Sequence, residues 1–337
     1  MSDLRTTARA LVAPSRGILA ADESTGTITK RFESIGLEST EDNRRRYRQM
    51  LFTTPGLGEH ISGVILFDET IRQSTDDGVR FVDLLTSVGS IPGIKVDTGA
   101  KSLALFLGET VTEGLDGLRE RLAEYHDLGA RFAKWRATII IGEGTPTDFA
   151  IDANAHAMAR YAALCQEADI VPIVEPEILM DGDHDIATCA SATGRTLAAL
   201  YEQLAAHRVD LPGSLLKVNM VVPGKGNAVQ DDDHAIAEVT IRCLMAHVPA
   251  EVPGVVFLSG GMSDEQATSR LNEMNRIGGF PWALSFSYGR ALQAPSIAAW
   301  AGDDANVEAG QRALAHRAKM NGLARDGQYD PDLESAA

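Results

Sequence analysis

The sequence predicts a single-domain α/β protein with the (β/α)8 architecture of a TIM barrel. Eight short apolar runs recur along the 337 residues, and each ends in polar or charged residues. Segments with helical periodicity fill most of the intervals, and successive runs begin 28 to 46 residues apart. Parallel strands buried on both faces read as continuous apolar runs, and eight βα units of this spacing fit a closed barrel better than a doubly wound sheet.

Each apolar run is predicted to be one barrel strand. In chain order the runs are 17–22, 63–68, 91–97, 131–136, 171–177, 215–220, 254–261 and 282–289. A doubly wound sheet would usually show a glycine-rich turn after its first strand, and this chain continues instead with Glu23-Ser24-Thr25-Gly26. The runs therefore support the barrel.

Four segments between the strands have apolar residues at helical spacing. Asp152–Ala168, Arg195–His207 and Asp233–His247 each place such residues on one stripe. A fourth helix is predicted after Ser263, which forms a capping-box pattern with Gln266. We interpret all four stripes as helix faces that pack on the barrel.

Two segments fall outside the βα alternation. Residues 31–62 are rich in charge and are predicted to add a helix and a loop between the first two strands. Residues 325–337 are acidic, contain glycine and proline, and have few apolar side chains, which predicts a mobile tail. We therefore expect a barrel domain over 1–324 and a mobile acidic C-terminal tail over 325–337.

Composition limits the classes of partner. Lys and Arg number 31 against 47 Asp and Glu, and the net charge of −16 repels nucleic acid and anionic membranes. Cys165, Cys189 and Cys243 have wide, unrelated spacings, which argues against a disulfide framework or a CxxC metal site and suits a reducing compartment. The N-terminus lacks the apolar region of a signal peptide, and no stretch reaches 18 apolar residues. These features predict a cytoplasmic protein.

Lys217 lies inside the apolar run Leu215–Val222. Lysine is rarely buried unless it is paired or used, and burial favours the neutral amine, which is a nucleophile. Taken alone, a strand-end lysine that reaches back to water is the simpler interpretation. The other strand ends favour the nucleophile instead.

In a barrel the carboxyl ends of all strands meet at one mouth. The ends of these runs carry many ionisable side chains: Asp22, Lys95, Asp97, Lys134, Arg136, Glu175, Glu177, Lys217 and Arg290. Charged groups facing a barrel interior cost several kcal/mol each unless they are paired, so this concentration indicates function. Any single pair could still be only a structural ion pair.

The types of these residues suggest amine catalysis. A neutral Lys217 would attack a carbonyl and give an iminium, which accepts electrons when an adjacent C–C bond breaks. The like charge of Lys134 would lower the pKa of Lys217, and Glu175 and Glu177 could move protons.

Two groups of residues are candidates for binding phosphate. Ser259-Gly260-Gly261 and Gly289-Arg290 lie at strand-to-helix transitions, where backbone N–H groups favour anions, and Arg290 adds a guanidinium. Lys95 and Arg136, with Lys30 and Arg31, form a second cationic group. Two groups predict a substrate with a phosphate at each end.

At this point the chain resembles a known family, class I fructose-1,6-bisphosphate aldolase of the Schiff-base type. The resemblance covers residues 5–325. It rests on GILAADESTGT at 17–27, GIKVDTG at 93–99, GLDGLRERLAEY at 114–125, ARFAKWR at 130–136, PIVEPEILMDGDHD at 172–185, LLKVNM at 215–220, FLSGGMS at 257–263 and PWALSFSYGRALQ at 281–293. It implies reversible cleavage of fructose 1,6-bisphosphate into dihydroxyacetone phosphate and glyceraldehyde 3-phosphate. It also implies a homotetramer that needs neither metal nor cofactor.

The resemblance assigns roles to individual residues. Lys217 matches the Schiff-base lysine, Glu175 resembles the proton acceptor, and Glu177 would assist formation and dehydration of the carbinolamine. Asp22 would orient the C4 hydroxyl, and Lys134 would support the charge state of Lys217. Residues similar to those that hold the C1 phosphate are Ser259, Gly260, Gly261, Ser287, Gly289 and Arg290. Candidates for the C6-phosphate end are Arg31, Ser24, Thr27, Lys95 and Arg136.

The chain departs from the family pattern in three places. Val218 follows the Schiff-base lysine where the family usually has proline, and Thr98 replaces a common lysine beside Asp97. Animal members end in a tyrosine that assists enamine protonation, whereas the last tyrosine here is Tyr329. The departure at the C-terminus leaves the acid for that step unassigned.

Two other functions fit parts of the sequence. A metal-dependent aldolase could use Asp181-Gly182-Asp183-His184-Asp185, but such sites need several convergent histidines and no HxxH or HExxH pattern is present. A non-catalytic scaffold that binds sugar phosphates would be expected to lack Lys217, Glu175 or Lys134. All three are present.

Overall fold

The computed structural model describes residues 2–335 of the chain. Its strands are β1 (Gly17–Ala20), β2 (Ile61–Leu66), β3 (Ile91–Lys95), β4 (Gly99–Ser102), β5 (Thr110–Glu113), β6 (Phe132–Ile139), β7 (Val171–Ile178), β8 (Leu215–Val218), β9 (Gly254–Phe257) and β10 (Ala283–Tyr288). All except β4 and β5 form a closed barrel in which chain neighbours pair in parallel and β10 returns to β1. The predicted fold class is confirmed.

Helices surround the barrel and cover one end. They are α1 (Ser2–Leu11), α2 (Thr25–Glu33), α3 (Glu41–Phe52), α4 (Leu57–His60), α5 (Asp68–Ile71), α6 (Phe81–Ser87), α7 (Leu118–Leu128), α8 (Asp148–Glu167), α9 (Ile186–Ala206), α10 (Asp233–His247), α11 (Asp264–Ile277), α12 (Arg290–Trp300) and α13 (Val307–Arg325). Each of the four helices predicted from periodicity is present, and the Ser263–Gln266 capping box forms at the start of α11. Within residues 2–335 no helix combines the length and apolar character that crossing a bilayer requires.

Every predicted strand overlaps a barrel strand, but the hairpin of β4 and β5 was not predicted. These two short strands pair antiparallel between β3 and β6, outside the barrel. Most of β4 is exposed, so it has no continuous apolar run. The signal that identified the barrel strands, burial on both faces, is therefore missing there.

The amino end of the barrel is closed by α1. Leu4, Ala8 and Leu11 from this helix join one apolar cluster with interior residues such as Phe132 and Leu215. The Ser62 hydroxyl on β2 fixes the end of the helix by donating a hydrogen bond to the Leu11 carbonyl oxygen at 2.5 Å. The carboxyl ends of the strands are left as the open mouth.

The C-terminal segment packs against α11 and α13. Tyr329 is buried, and its backbone N–H donates to Asn272 Oδ1 at 2.9 Å. Glu334 accepts hydrogen bonds from Arg317 at 2.5 Å and Tyr329 at 2.9 Å, and its other oxygen lies 2.7 Å from His316. The sequence prediction did not anticipate these contacts. The mobility of the tail stays a prediction, and Ala336 and Ala337 lie outside the described residues.

We propose that 1–324 is one barrel domain and that Glu334 anchors the tail to it. Glu334→Gln is expected to lower the free energy of unfolding by about 1–3 kcal/mol, the usual cost of weakening a charge-assisted hydrogen bond to a buried partner. Arg317 is that partner, because it is almost fully buried. Urea unfolding of both proteins at pH 7 measures the difference.

The same comparison has a predicted pH dependence. Burial alone would raise the pKa of Glu334, but hydrogen bonds from Arg317 and His316 outweigh burial and hold that pKa below its usual value. The stabilisation is therefore complete above the unfolded-state pKa of about 4.3 and is lost as the pH falls through the lower folded-state value. Asp332→Asn, at an exposed tail residue, is the control. Equal destabilisation by both substitutions would contradict the anchor.

Candidate active site

A cleft of about 510 Å³ opens at the carboxyl ends of the barrel strands. Of the residues predicted to form the site, the following line it: Asp22, Ser24, Thr27, Arg31, Lys95, Lys134, Arg136, Glu175, Glu177, Lys217, Ser259, Gly260, Ser287, Gly289 and Arg290. Gly261 is the exception. It has a φ of +83°, and a side chain there would meet Met180 and Lys225 rather than the cleft. Side chains that are distant in sequence are thus brought to one place.

Strand alternation explains why charged side chains point inward here. On β8, Leu215 belongs to the interior cluster, whereas Leu216 and Val218 pack in the outer core against the helices. Lys217 is two residues beyond Leu215 and therefore faces the interior, one layer nearer the mouth. On β7 the same alternation from Ile173 turns Glu175 inward.

The ammonium group of Lys217 is buried next to a carboxylate. Only 4% of the residue is exposed, and Nζ lies 3.0 Å from Glu175 Oε1. The second oxygen of Glu175 lies 3.2 Å from Lys134 Nζ. Glu175 therefore lies between the two lysines. The effect of the Lys134 charge on Lys217 that the sequence predicted must therefore act across this carboxylate.

Lys134 is surrounded by carboxylates. Its Nζ lies 2.9 Å from Asp22, 3.2 Å from Glu175 and 3.9 Å from Asp97. Burial by itself lowers the pKa of Lys134, but these negative charges outweigh burial and raise the pKa above its ordinary value. Lys134 is consequently a fixed cation at neutral pH.

The buried carboxylates are held in their ionised form. Burial alone would raise the pKa of Asp22, but the charges of Lys134 and Lys217 outweigh it and keep that pKa well below the usual range. Burial likewise opposes the shift at Glu175, and the same two lysines lower its pKa. A group that must accept a proton is therefore available as the base throughout the neutral range.

A second layer of charge lies nearer the solvent. Arg136 forms an ion pair with Glu177, and Lys95 lies 3.4 Å from Asp97. Burial by itself lowers the pKa of Arg136, but the attraction of Glu177 outweighs it and raises that pKa. Two ion pairs thus join β6 to β7, Lys134 with Glu175 and Arg136 with Glu177.

The loops after β9 and β10 have the chemical features of an anion site. The Ser287 hydroxyl is almost fully buried and has no hydrogen-bond partner within residues 2–335. The Arg290 guanidinium donates to the carbonyl oxygens of Ser259 and Met262 at 3.5 and 3.3 Å. The Ala291 N–H donates to Ser259 Oγ at 3.4 Å, so the first residues of α12 face the Ser259 loop. A helix N-terminus and a guanidinium at this place favour phosphate.

Arg31 lies next to these two loops. Its Nη2 atom lies 3.4 Å from the position that a β-carbon on Gly289 would occupy. The sequence had grouped Arg31 with Lys95 and Arg136, and Arg31 is distant in sequence from the later loops. Helix α2 closes that distance across the junction between β1 and β10, since these two strands pair.

Seven further residues that line the cleft were not among the predicted site residues: Ala20, Glu23, Asp97, Gly99, Ala100, Thr138 and Leu258. Lys30, which the sequence placed in the second cationic group, also lines the cleft. Asp97 had been noted as a charged residue at a strand end. Thr138 follows Arg136 by two residues, so strand alternation could have identified it. Nothing in the sequence distinguished Glu23 from a residue of an exposed turn.

The aspartate-rich turn after β7 has structural contacts. Asp185 caps α9 by accepting the Thr188 N–H at 2.8 Å, and Asp181 lies 3.5 Å from Lys225 Nζ. The backbone N–H groups of Gly224 and Gly226 donate to carbonyl oxygens of the turn. Across the described part of the chain, His, Cys, Asp and Glu side chains do not gather in threes in a way that could hold a metal ion.

Comparisons with known proteins agree with this geometry. The family model for class I fructose-bisphosphate aldolase matches residues 3–337. The chain is 56% identical over 330 residues to a probable fructose-bisphosphate aldolase class 1 of Xanthomonas campestris, covering 98% of this chain and 99% of the relative. It is 54% identical over 322 residues to a cytosolic fructose-bisphosphate aldolase of Arabidopsis thaliana, covering 95% of this chain and 82% of the relative.

A solved structure gives the same result for the fold. The fructose-bisphosphate aldolase of Plasmodium falciparum, solved in complex with TRAP and a small-molecule inhibitor, superposes with a TM-score of 0.96 at 49% identity. The match covers 98% of this chain and 95% of that one. The chain belongs to the class I fructose-bisphosphate aldolase family and is a lyase that cleaves fructose 1,6-bisphosphate at a carbon–carbon bond.

Proposed function

We propose that Lys217 is the Schiff-base nucleophile of this aldolase and that Glu175 carries its proton transfers. The observation that supports this assignment is the buried array Lys217–Glu175–Lys134, with 3.0 and 3.2 Å between successive charged groups. A lysine that attacks must first lose a proton, and Glu175 is placed to accept it. Lys134 then keeps the local charge balanced.

The first half of the reaction forms the iminium. The Lys217 amine attacks the C2 carbonyl of the open-chain ketose, and the carbinolamine loses its hydroxyl as water once an acid supplies a proton. Glu177 lies one layer nearer the mouth than Glu175, next to Arg136, and is the group that we assign to this proton transfer. It passes to the departing hydroxyl the proton that Glu175 took from Lys217, so Glu175 is a carboxylate again before the next step. The product is a protonated imine between Nζ and C2.

The second half breaks the C3–C4 bond. Glu175 takes the proton of the C4 hydroxyl, the C4–O bond becomes a carbonyl, and the electron pair of the C3–C4 bond moves into the iminium to give an enamine. Asp22 would orient that hydroxyl from beside Lys134. Glyceraldehyde 3-phosphate leaves, the enamine is protonated at C3, and water hydrolyses the new iminium to dihydroxyacetone phosphate and free Lys217.

Protonation of the enamine needs an acid that is not Tyr329 in this conformation. The Tyr329 hydroxyl donates to Glu334 Oε1 at 2.9 Å, on the outer face of the barrel. Within the described chain no tyrosine lines the cleft. We propose that Glu175 returns to C3 the proton that it took from the C4 hydroxyl, because it is the carboxyl group closest to the Lys217 nitrogen.

The two ends of the cleft would hold the two phosphates. We assign the C1 phosphate to Ser259, Gly260, Ser287, Gly289, Arg290 and Arg31, with Gly261 supporting the turn. We assign the C6 phosphate to Lys95, Arg136, Ser24 and Thr27. Clusters of cations and backbone N–H groups overcome the repulsion that a net charge of −16 exerts on a bisphosphate.

Borohydride trapping tests the nucleophile. The protein is incubated with dihydroxyacetone phosphate, reduced, digested and analysed by mass spectrometry. We expect one reduced adduct, on Lys217. An adduct on Lys134 or on no lysine at all would contradict the assignment.

Chelation is expected to leave the activity unchanged. In a Schiff-base mechanism the iminium takes up the electron pair, so no metal ion is needed for that step. Cleavage rates before and after prolonged EDTA treatment should agree within error, and a metal-dependent aldolase treated in parallel should lose activity. Loss that added Zn²⁺ restores would contradict the Schiff-base assignment.

We also propose that the protein acts in the cytoplasm as a homotetramer, without nucleic-acid or membrane partners. The name of the Arabidopsis relative includes its cytosolic location. The acidic composition disfavours binding to nucleic acid and to anionic lipid. Sedimentation velocity of the purified protein tests the assembly, and a species with the mass of one or two chains would contradict it.

A further inference from the structure

We infer that the Arg31 guanidinium moves between two acceptors, the Glu23 carboxylate and a phosphate of the substrate. Glu23 can release Arg31 because it also forms a buried ion pair with Arg48. Glu23 and Arg48 would be positioning residues, because neither would touch the substrate in this scheme. The inference rests on the phosphate role proposed above for Arg31.

Glu23 is turned away from the catalytic array. Its neighbour Asp22 contacts Lys134, whereas the Glu23 carboxylate lies among α2, α3 and α12, and the Glu23 side chain is 4% exposed. One carboxylate oxygen lies 2.5 Å from Arg31 Nη1 and accepts from Gln293 Nε2 at 2.8 Å. The other oxygen accepts from Arg48 at 2.6 Å. Both oxygens of this buried carboxylate are therefore occupied by donors.

Arg48 has no other acidic partner in residues 2–335. Its guanidinium lies 5.5 Å from the centre of the Tyr47 ring, and Nε and Nη1 have no hydrogen-bond partner within the described chain. The Tyr47 hydroxyl donates to Gln293 Oε1 at 2.9 Å, and Gln293 Nε2 also donates to the Ala20 carbonyl oxygen at 2.7 Å. This network fixes Arg48 and Gln293 against the end of β1.

The two arginines differ in their freedom to move. The Arg31 side chain is 24% exposed and lines the cleft, whereas the Arg48 side chain is 4% exposed. Arg31 also lies beside Gly289, at the proposed C1-phosphate end. A small rotation can therefore bring its guanidinium to an anion, while Arg48 stays in place.

The energetics of a buried carboxylate explain why a second cation is needed. An unpaired buried charge costs several kcal/mol, so a Glu23 paired only with Arg31 would resist the loss of that partner. A substrate phosphate would then have to compete for Arg31 with a buried carboxylate that has no other cationic partner. With Arg48 permanently on the other oxygen, Glu23 stays neutralised when Arg31 moves. Arg48 thus makes Arg31 available to the substrate.

Four variants of the full-length enzyme test the inference: R31M, R48M, E23Q/R48M and R45M. The measurements are KM and kcat for fructose 1,6-bisphosphate and the inhibition constant of inorganic phosphate. R45M is the matched control, because Arg45 lies on the same helix and its ion pairs within residues 2–335 are with the exposed Asp42 and Asp76. Circular dichroism and thermal unfolding check that each variant is folded.

R48M is expected to weaken phosphate binding, and the added E23Q substitution is expected to restore it. R48M should raise KM and the inhibition constant about tenfold, which corresponds to about 1.4 kcal/mol, and should leave kcat within twofold. E23Q/R48M should bring the inhibition constant back to within about threefold of the wild-type value, because no carboxylate then holds Arg31. R45M should behave as the wild type. If R48M does not fold, the double variant still decides, since it removes both charges of the pair.

The outcomes separate the two proposals. An unchanged inhibition constant in R31M would overturn the phosphate role of Arg31 and this inference together. A raised inhibition constant in R31M together with an unchanged one in R48M would overturn this inference alone. So would an inhibition constant in E23Q/R48M that does not recover toward the wild-type value. A purely structural pair predicts that the double variant is at least as impaired as R48M.

Discussion

Lys217→Met is expected to lower the rate of fructose 1,6-bisphosphate cleavage by about 10⁴-fold or more, because removing the nucleophile of a covalent mechanism removes the reaction path itself. The fold should survive. Glu175 keeps Lys134 as a partner at 3.2 Å, so no carboxylate is left unpaired. Methionine also fills most of the volume of the lysine side chain. Steady-state cleavage and borohydride trapping on the same preparation measure the effect.

The control for this variant is Lys101→Met, which removes an exposed lysine on the hairpin of β4 and β5. It should keep wild-type cleavage and form the reduced adduct. Cleavage that persists in Lys217→Met at more than a hundredth of the wild-type rate would contradict the assignment of Lys217. So would an adduct at another lysine that accounts for that cleavage.

Glu175→Gln is expected to lower kcat by about 10²- to 10⁴-fold, the usual contribution of a placed proton-transfer group. The amide keeps the shape of the carboxylate but cannot accept the proton of Lys217 or of the C4 hydroxyl. It also leaves Lys217 and Lys134 without the charge between them. Single-turnover measurements should show slow release of glyceraldehyde 3-phosphate.

Glu109→Gln is a matched control for the same chemical change. Glu109 is also a buried carboxylate, but it binds the Thr147 backbone N–H and hydroxyl at 2.7 Å, outside the cleft. This variant should lose stability and keep kcat. If Glu175→Gln lost only stability as well, Glu175 would be a structural residue.

The barrel and the convergence of charged side chains at its mouth were predictable because two periodicities are strong in this chain. Buried parallel strands give continuous apolar runs, and alternation along a strand decides which side chains face inward. Lys134 follows Phe132 by two residues, and Lys217 follows Leu215 in the same way. Once eight strands converge, their end residues must meet, whatever their separation in sequence.

Other features depend on contacts that no local pattern reports. The sequence grouped Arg31 by its type and position, but its neighbour Gly289 is set by the pairing of β1 with β10. The hairpin of β4 and β5 is mostly exposed and so gives no apolar run. The tail anchor needs a buried Arg317, whose burial is decided by how α11 and α13 pack.

The closed amino end of the barrel determines how substrate and products reach and leave the cleft. Because α1 closes the amino end with Leu4, Ala8 and Leu11, the cleft that contains Lys217 opens only at the carboxyl ends of the strands in the described structure. The ketose must therefore enter, and both trioses must leave, through the same mouth of the barrel. The aldehyde is released while its partner is still tethered to the protein. In the proposed Schiff-base mechanism the covalent bond therefore makes product release ordered, with the aldehyde leaving before dihydroxyacetone phosphate.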